Sequence, residues 1–262
     1  MTRTSQIIDP IIYSYNDNKP NNNKPNERNV TLILMRILAV FAHPDDELGC
    51  AGTLKKHAQR GDEVMLVWTT HGELASQFVE HSDSEVRRIR HEHGAWIAEK
   101  VGAKYHFFDM GDSRMTGSRD EALQLARLYA TFKPDVIITW HNDDGHPDHR
   151  MTAKITFDAM TLTRIPKIIN EGGHTLEPHR KDIKLYQYVS STVNRPIVHV
   201  NIAEQIDAAT EMFIFYQSFY KWQYTPEQFK QSREVNGREA GLKFAEKFQL
   251  RQTYHPGLEY LV

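Results

Sequence analysis

Two hydrophobic periods alternate along the chain from residue 35 onward. Short apolar runs rich in β-branched and aromatic residues predict strands, and they are Ile37–Ala42, Val64–Trp68, Tyr105–Phe108 and Val136–Trp140. Between them lie stretches with helical spacing, at Leu48–Arg60, Asp83–Val101, Arg119–Phe132 and Pro147–Leu162. Strand–helix alternation at this pitch predicts right-handed βαβ units. We therefore expect a single α/β, Rossmann-like domain whose mostly parallel sheet carries helices on both faces.

The pattern continues beyond these four units. Two further strands are predicted at Leu185–Val189 and Ile197–Val200, and an amphipathic helix at 202–219. The run Thr225-Pro226-Glu227-Gln228 predicts the start of a last helix, with a capping box and proline at the first helical position, and Gly237 is expected to interrupt this helix. The segment 163–184 lacks clear periodicity and is expected to be a long loop.

The chain before residue 35 differs in character. Seven of the 14 residues from Asn16 to Asn29 are asparagine, and Pro20 and Pro25 lie among them. A stretch that buries so little apolar surface does not offset the entropy lost on ordering. We therefore predict an Asn-rich, flexible extension over residues 1–34 and one folded domain over residues 35–262.

Composition narrows the class of protein. The 32 basic and 34 acidic residues nearly cancel, so no positive excess indicates a nucleic-acid partner. The single cysteine excludes an internal disulfide framework and favours a cytoplasmic location. The longest apolar run, Thr31–Ala42, contains Arg36 and is shorter than the ~20 residues of a membrane span. The unusual feature of the composition is its 14 histidines.

Polar clusters follow the first and fourth predicted strands. The first strand runs into His43-Pro44-Asp45-Asp46-Glu47, and the fourth is followed by His146-Pro147-Asp148-His149. Ligands of open α/β sheets bind at the carboxyl ends of the strands, and strands one and four are natural neighbours at the switch point. We therefore expect both clusters in one crevice. Imidazole and carboxylate donors without thiolates suit a catalytic Zn²⁺ site, with another divalent metal as the alternative.

These two motifs resemble the signature of the LmbE-like, PIG-L-type zinc-dependent de-N-acetylases. The similarity extends through Leu48–Leu54, Thr70–Glu73 and Gly241–Phe248, so it covers most of residues 35–262. The resemblance implies a metal-dependent hydrolase that removes an N-acetyl group from a small amino sugar, such as N-acetylglucosamine, or from its conjugate.

The resemblance also implies roles for particular residues. The metal ligands would be His43, Asp46 and His149. Asp45 would be the general base for metal-activated water, and a protonated His146 would stabilise the oxyanion. In addition, Asp144 or Asp148 is a candidate to orient His146 or a ligand imidazole.

Substrate contacts are implied by weaker matches. Arg90 matches the arginine of the family's Arg-x-x-Glu pattern, and Asp112 matches an aspartate that meets sugar hydroxyls. His93 replaces the usual glutamate, and its place on the apolar stripe of its helix predicts a core histidine. Tyr216 stands where relatives often carry histidine, which indicates a different substrate or a lost contact. His141 is a further candidate to line the pocket.

Other functions stay open at this stage. The same residues would serve an amidase acting on a non-sugar amide, such as an acylated antibiotic, polyamine or thiol conjugate. A metal-binding module without turnover has no need of Asp45 beside the ligands. A dinucleotide-dependent oxidoreductase is disfavoured because the first strand is not followed by G-x-G-x-x-G. Relatives are often oligomeric, so the resemblance also leaves a homo-oligomer open.

Overall fold

The computed structural model describes residues 34–191 and 196–251. Its strands are β1 (Arg36–Phe41), β2 (Glu63–Trp68), β3 (Lys104–Phe107), β4 (Val136–Thr139), β5 (Lys184–Tyr188), β6 (Ile197–Asn201) and β7 (Ala245–Arg251). Its helices are α1 (Ala51–Arg60), α2 (Asp83–Val101), α3 (Arg119–Phe132), α4 (Pro147–Leu162), α5 (Pro166–Ile169), α6 (Ile206–Tyr220) and α7 (Pro226–Arg238). The Asn-rich stretch predicted to be flexible lies outside the described residues.

The described strands form one mixed sheet in the order β3-β2-β1-β4-β5-β7-β6. The first five of these pair in parallel, whereas β7 is antiparallel to both β5 and β6. The predicted pairing of β1 with β4 is confirmed. Because the chain runs outward from β1 on one side and from β4 on the other, a crevice opens where these two strands end.

Helices cover both faces of the sheet, as the sequence predicts. Alternate residues of β1 point to opposite sides, with Ile37, Ala39 and Phe41 packed toward α1, α2, α6 and α7. Leu38 and Val40 pack toward α3, α4 and α5. Burial on both sides explains why β1 is an uninterrupted apolar run. No helix in the described part of the chain is long and apolar enough to cross a membrane.

Two helices begin later than predicted. The stretch expected to be helical from Leu48 starts with a 3₁₀ turn over Asp46–Gly49, and α1 follows at Ala51. The acidic side chains of this turn bind backbone N–H groups of residues 42, 43 and 45, which directs the chain into a tight turn before an α-helix forms. Helix α6 begins at Ile206 instead of Ile202, after a turn in which Asn201 accepts from the backbone N–H of Ala203.

The carboxyl-terminal part departs most from the sequence expectations. Strand β7 was not predicted, although it lies between β5 and β6. Gly237 is the second-to-last residue of α7, which ends at Arg238, so the helix stops next to the expected interruption. A Cβ atom at Gly237 would lie 2.6 Å from the carbonyl oxygen of Leu242, so this glycine permits a close approach of backbone. The expected long loop at 163–184 contains α5 and is tied by the Asn170 carboxamide to Leu176.

Candidate active site

Asp46 lies where β1 and β4 end. Its Oδ2 atom accepts hydrogen bonds from the backbone N–H of Ala42 (3.0 Å) and His43 (2.9 Å) and from Nε1 of Trp140 (2.8 Å). Its Oδ1 atom lies 3.4 Å from Nε2 of His149 on α4. Burial acts to raise the pKa of Asp46, but the bond to His149 and the charge of His43 outweigh burial and lower this pKa to about 2. The carboxylate is therefore ionised at neutral pH, with Oδ1 turned toward His149.

The imidazole of His149 is fixed from two sides. Its Nδ1 atom lies 2.8 Å from Oδ1 of Asp144, and its ring stacks on the indole of Trp140 with centroids 3.8 Å apart. A carboxylate on one ring nitrogen leaves the other nitrogen available to a metal. Asp144 thus has the geometry expected of a residue that orients a metal-binding histidine.

Three carboxylates surround His43. Its Nδ1 atom lies 3.8 Å from Oδ2 of Asp46, and its Nε2 atom lies 3.3 Å from both Asp112 and Asp148. Burial acts to lower the pKa of His43, but these carboxylates prevail and raise it to about 10. The position therefore favours a positive charge.

Two sets of donor atoms in this crevice have the spacing of a metal site. One set is His43, His146 and His149, the other is His43, Asp112 and Asp148, and within each set the donor atoms lie within 4.8 Å of one another. Asp46 lies next to the first set, because its Oδ1 atom is close to Nε2 of His149. Imidazoles and carboxylates surrounding a position that favours positive charge fit Zn²⁺ or another divalent cation.

Asp45 occupies a strained turn next to these donors. Its φ is 120°, in a region that residues other than glycine rarely adopt. Its Oδ2 atom lies 4.0 Å from NH1 of Arg90. Burial and the neighbouring charge of Asp46 raise the pKa of Asp45 well above its usual value, against the opposing effect of Arg90. A raised pKa suits a carboxyl group that accepts and returns a proton.

His146 begins α4 with its ring beside His43. Its Nδ1 atom accepts a hydrogen bond from the backbone N–H of Asp148 (3.2 Å). Burial lowers the pKa of His146, and the charges of His43 and His149 lower it further. Because Nδ1 accepts this bond, Nε2 is the nitrogen of His146 that can donate a hydrogen bond into the crevice.

Two cavities adjoin Asp45 and Asp46. One, of about 280 Å³, is also lined by His43, Gly72, Leu74, Ala75, Arg90, Asp112, Ser113, His146 and His149. The other, of about 420 Å³, is mainly aromatic and is also lined by Leu48, Gly49, Trp140, Tyr188, Phe213, Trp222, Tyr224, Phe229 and Arg233. All seven site residues proposed from the sequence thus border the smaller cavity. We call it the catalytic cavity.

Comparison with known proteins places this crevice in a family. Residues 38–160 match the family model PIG-L: GlcNAc-PI de-N-acetylase. This part of the chain belongs to the PIG-L family. The matched residues run from β1 to α4, so the PIG-L domain contains both His/Asp motifs and every residue that the sequence assigned to the site.

Deacetylases are prominent among the relatives of this chain. It is 23% identical over 220 residues to a diacetylchitobiose deacetylase of Thermococcus kodakarensis, covering 80% of this chain and 81% of that protein. It is 31% identical over 165 residues to a 1D-myo-inositol 2-acetamido-2-deoxy-alpha-D-glucopyranoside deacetylase of Mycobacterium sp., covering 52% and 54% of the two chains. The chain thus spans about half the length of this mycobacterial relative.

A solved structure shows the same fold as this chain. The N,N'-diacetylchitobiose deacetylase from Pyrococcus horikoshii superposes with a TM-score of 0.72 at 22% identity, covering 83% of this chain and 84% of that one. The share of the chain that this structure covers is larger than residues 38–160 alone.

Two histidines lie away from the catalytic cavity of the PIG-L domain. His93 is buried among the rings of Phe215 and Phe219 on α6, and two tyrosines complete its surroundings, which confirms the predicted core position. His141 contacts Gln249 of β7 and does not line either of the two cavities. The prediction that His141 lines the pocket is therefore wrong for these two cavities.

Sequence reasoning missed two contributions to this PIG-L site. Trp140 donates to Asp46 and stacks on His149, and its signal was an aromatic residue at the end of a strand that precedes a His/Asp cluster. Glu47 is completely buried and bonds the backbone of Asp45. Its signal was a third acidic residue directly after Asp45 and Asp46, just before the run that starts at Leu48.

Proposed function

We propose that this protein is a zinc-dependent hydrolase that removes the acetyl group from an N-acetylated amino sugar or its conjugate. One observation carries the proposal: the ends of β1 and β4 bring His43, Asp46 and His149 together beside Asp45, a second carboxyl with a raised pKa. The deacetylase relatives support the same reaction.

Each side chain of the site has a separate role in the proposed reaction. His43, Asp46 and His149 would hold the metal, which when bound supplies positive charge that acidifies water and polarises an amide carbonyl. Asp45 then takes the proton of the attacking water and delivers it to the departing amine. The Nε2–H group of His146 donates to the carbonyl oxygen as negative charge develops there.

The substrate would occupy the catalytic cavity. Arg90 and Asp112 line it together with the histidines, and we propose that they meet the hydroxyl groups of the sugar. The single cysteine, the buried Cys50, supports a further proposal that the protein works in a reducing compartment such as the cytoplasm.

Acetate release tests the proposal. Protein stripped with a chelator and reloaded with Zn²⁺ is given N-acetylglucosamine, diacetylchitobiose and, as a non-sugar comparison, N-acetylputrescine. We expect release from the sugars that disappears on chelation. Release from N-acetylputrescine alone would replace the sugar deacetylase with an amidase, and no release from any substrate would contradict the hydrolase itself.

Asp45→Asn is the matched variant for this assay. Asparagine keeps the size of the side chain and tolerates positive φ, but it cannot accept the proton. We expect Zn²⁺ content to stay at the wild-type level while kcat falls at least ~100-fold. Unchanged kcat would exclude Asp45 as the general base.

A further inference from the structure

The peptide bond between Pro44 and Asp45 is held at both ends by buried side chains. The carbonyl oxygen of Pro44 accepts a hydrogen bond from NH1 of Arg90 (2.9 Å). The N–H group of Asp45, on the same peptide unit, donates to Oε2 of Glu47 (3.0 Å). Two hydrogen bonds on one peptide unit fix the orientation of its plane.

The residue that follows this peptide needs such support. Asp45 has a φ of 120°, and a residue in such a sparsely populated region persists only where the surrounding structure offsets its strain. Without the two bonds, we expect the turn to relax to negative φ and to move the Asp45 carboxyl away from its place between the two cavities.

Both side chains that hold the peptide are themselves fixed. Nε1 of Trp68 donates to the same Oε2 atom of Glu47 (3.0 Å). The guanidinium of Arg90 lies over the rings of Phe78 and Tyr220, at 5.0 and 5.1 Å from their centroids. Glu47 is 0% exposed and Arg90 only 2%. Neither side chain is therefore free to reorient toward solvent.

A glycine makes room for this arrangement. Gly72, in the loop after β2, has a φ of 64°, and a Cβ atom there would lie 2.8 Å from NH2 of Arg90. Glycine at position 72 thus allows both the positive φ of the loop and the close approach of the Arg90 guanidinium.

We propose that Glu47 and Arg90 are positioning residues that lock the Pro44–Asp45 peptide and so hold the Asp45 carboxyl in its working orientation. The inference rests on the proposed function for Asp45 as general base. Arg90 thus lines the catalytic cavity and also acts through the backbone of residues 44 and 45. Glu47, which does not line the cavity, acts through the same peptide.

The kinetic test compares two variants of Glu47. Glu47→Gln keeps an oxygen that accepts from Asp45 and Trp68, so we expect kcat to stay within about threefold of wild type. Glu47→Ala removes the acceptor, and a displacement of about 1 Å costs about 100-fold, so we expect kcat to fall by that factor with KM little changed. Equal losses in the two variants would overturn the positioning role.

Glu246→Ala is the matched control. Glu246 is 1% exposed and, like Glu47, accepts hydrogen bonds from two N–H groups, those of Gly52 and Thr53. Its loss is expected to lower the melting temperature as much as the loss of Glu47 but to leave kcat near wild type. If Glu246→Ala lowers kcat as strongly as Glu47→Ala, the effect of Glu47 is only structural and the inference fails.

Arg90→Met and the double variant test the other end of the peptide. A positioning role predicts a fall in kcat that is not additive with that of Glu47→Ala, because either change releases the same peptide. A rise in KM with unchanged kcat would instead make Arg90 a binding residue only. Should Glu47→Ala not fold, Trp68→Phe removes one donor to Glu47 and is expected to lower kcat without raising KM; an unchanged kcat would contradict the inference.

Crystallography of the variants separates this inference from the proposed function. We expect residue 45 to leave positive φ in Glu47→Ala and to retain it in Glu47→Gln. This readout does not depend on turnover, so it stands even if wild-type protein releases no acetate. A φ near 120° in Glu47→Ala would overturn the inference whatever the activity assays give.

Discussion

At the scale of single residues, the carboxylates around His43 differ in the groups that they contact. Asp46 uses Oδ2 for three N–H donors and turns Oδ1 toward His149. Asp112 and Asp148 instead contact Nε2 of His43. This division makes Asp46 the better candidate for a ligand, with Asp112 and Asp148 as partners that orient the imidazole.

The affinity for Zn²⁺ distinguishes a metal ligand from a residue that only orients a ligand. We expect Asp46→Asn to weaken Zn²⁺ binding more than Asp112→Asn, because losing an orienting partner costs about 10- to 100-fold and losing a ligand costs more. Competition with a chromophoric chelator measures both affinities. A larger loss in Asp112→Asn would favour the alternative set of His43, Asp112 and Asp148.

His93 predicts a pH dependence of stability. Burial, with the nearby charge of Arg90, lowers its pKa from 6.5 to about 4. Between these two values the unfolded chain binds more protons than the folded one, so the contribution of neutral His93 is complete above pH 6.5 and is lost as the pH falls toward 4. We expect lower stability toward urea at pH 5 than at pH 7.

The variant His93→Phe isolates this contribution. Phenylalanine suits the surrounding rings of α6 and does not titrate, so the difference in unfolding free energy between pH 5 and pH 7 should shrink. Other histidines with lowered pKa, including His57 and His179, retain their own share of the pH dependence. An unchanged difference would mean that His93 does not contribute.

At the scale of elements, the sequence predicts helices best where side chains cap them. The bounds of α2 and α3 agree with the predictions because Ser82 and Ser118 form capping boxes with the glutamates three residues on, and α4 agrees because Pro147 marks its first turn. Strand β7 escaped prediction because Glu246 and Lys247 interrupt its apolar pattern. Glu246 is buried there because the start of α1 supplies N–H groups to its carboxylate, a contact that no local pattern reveals.

The packing of α2 on the sheet yields an element-scale prediction. A Cβ atom at Gly94 would lie 2.8 Å from ring atoms of both Phe107 and Trp68. Gly94→Ala should therefore destabilise the fold by about 1–3 kcal/mol through overpacking, although alanine favours a helix by about 1 kcal/mol. Chemical denaturation measures the change, with the exposed Ser84→Ala on the same helix as control. A stabilised Gly94→Ala would show that the rings move aside.

At the scale of the whole molecule, the site exists only when the sheet has formed. Its residues come from the ends of β1 and β4 and from loops after β2 and β3, and the pairing of β1 with β4 brings the two His/Asp motifs together. The sequence predicted this meeting from the switch-point rule. It named Asp144 as a candidate to orient a ligand imidazole, but it did not predict the orientation of Asp46, because Trp140 fixes that carboxylate through a contact that depends on the completed fold.

Metal binding should therefore stabilise the folded state. At a free Zn²⁺ concentration 100 times Kd, we expect about 2.7 kcal/mol of stabilisation, or a rise in Tm of roughly 5–10 °C for a domain of this size. Scanning calorimetry with and without chelator measures the rise. His149→Ala should abolish most of it, and an equal rise in that variant would place the stabilising metal elsewhere.

The position of β7 also constrains the order in which the chain can fold during synthesis. Among the described strands, β6 pairs only with β7, yet β7 is made more than forty residues later. On the ribosome, the parallel half of the sheet can assemble as soon as β5 emerges, whereas β6 must wait for the last strand before it can pair. A nascent chain halted before residue 245 would thus present the strands of the catalytic crevice with one sheet edge still unpaired and open to chaperones.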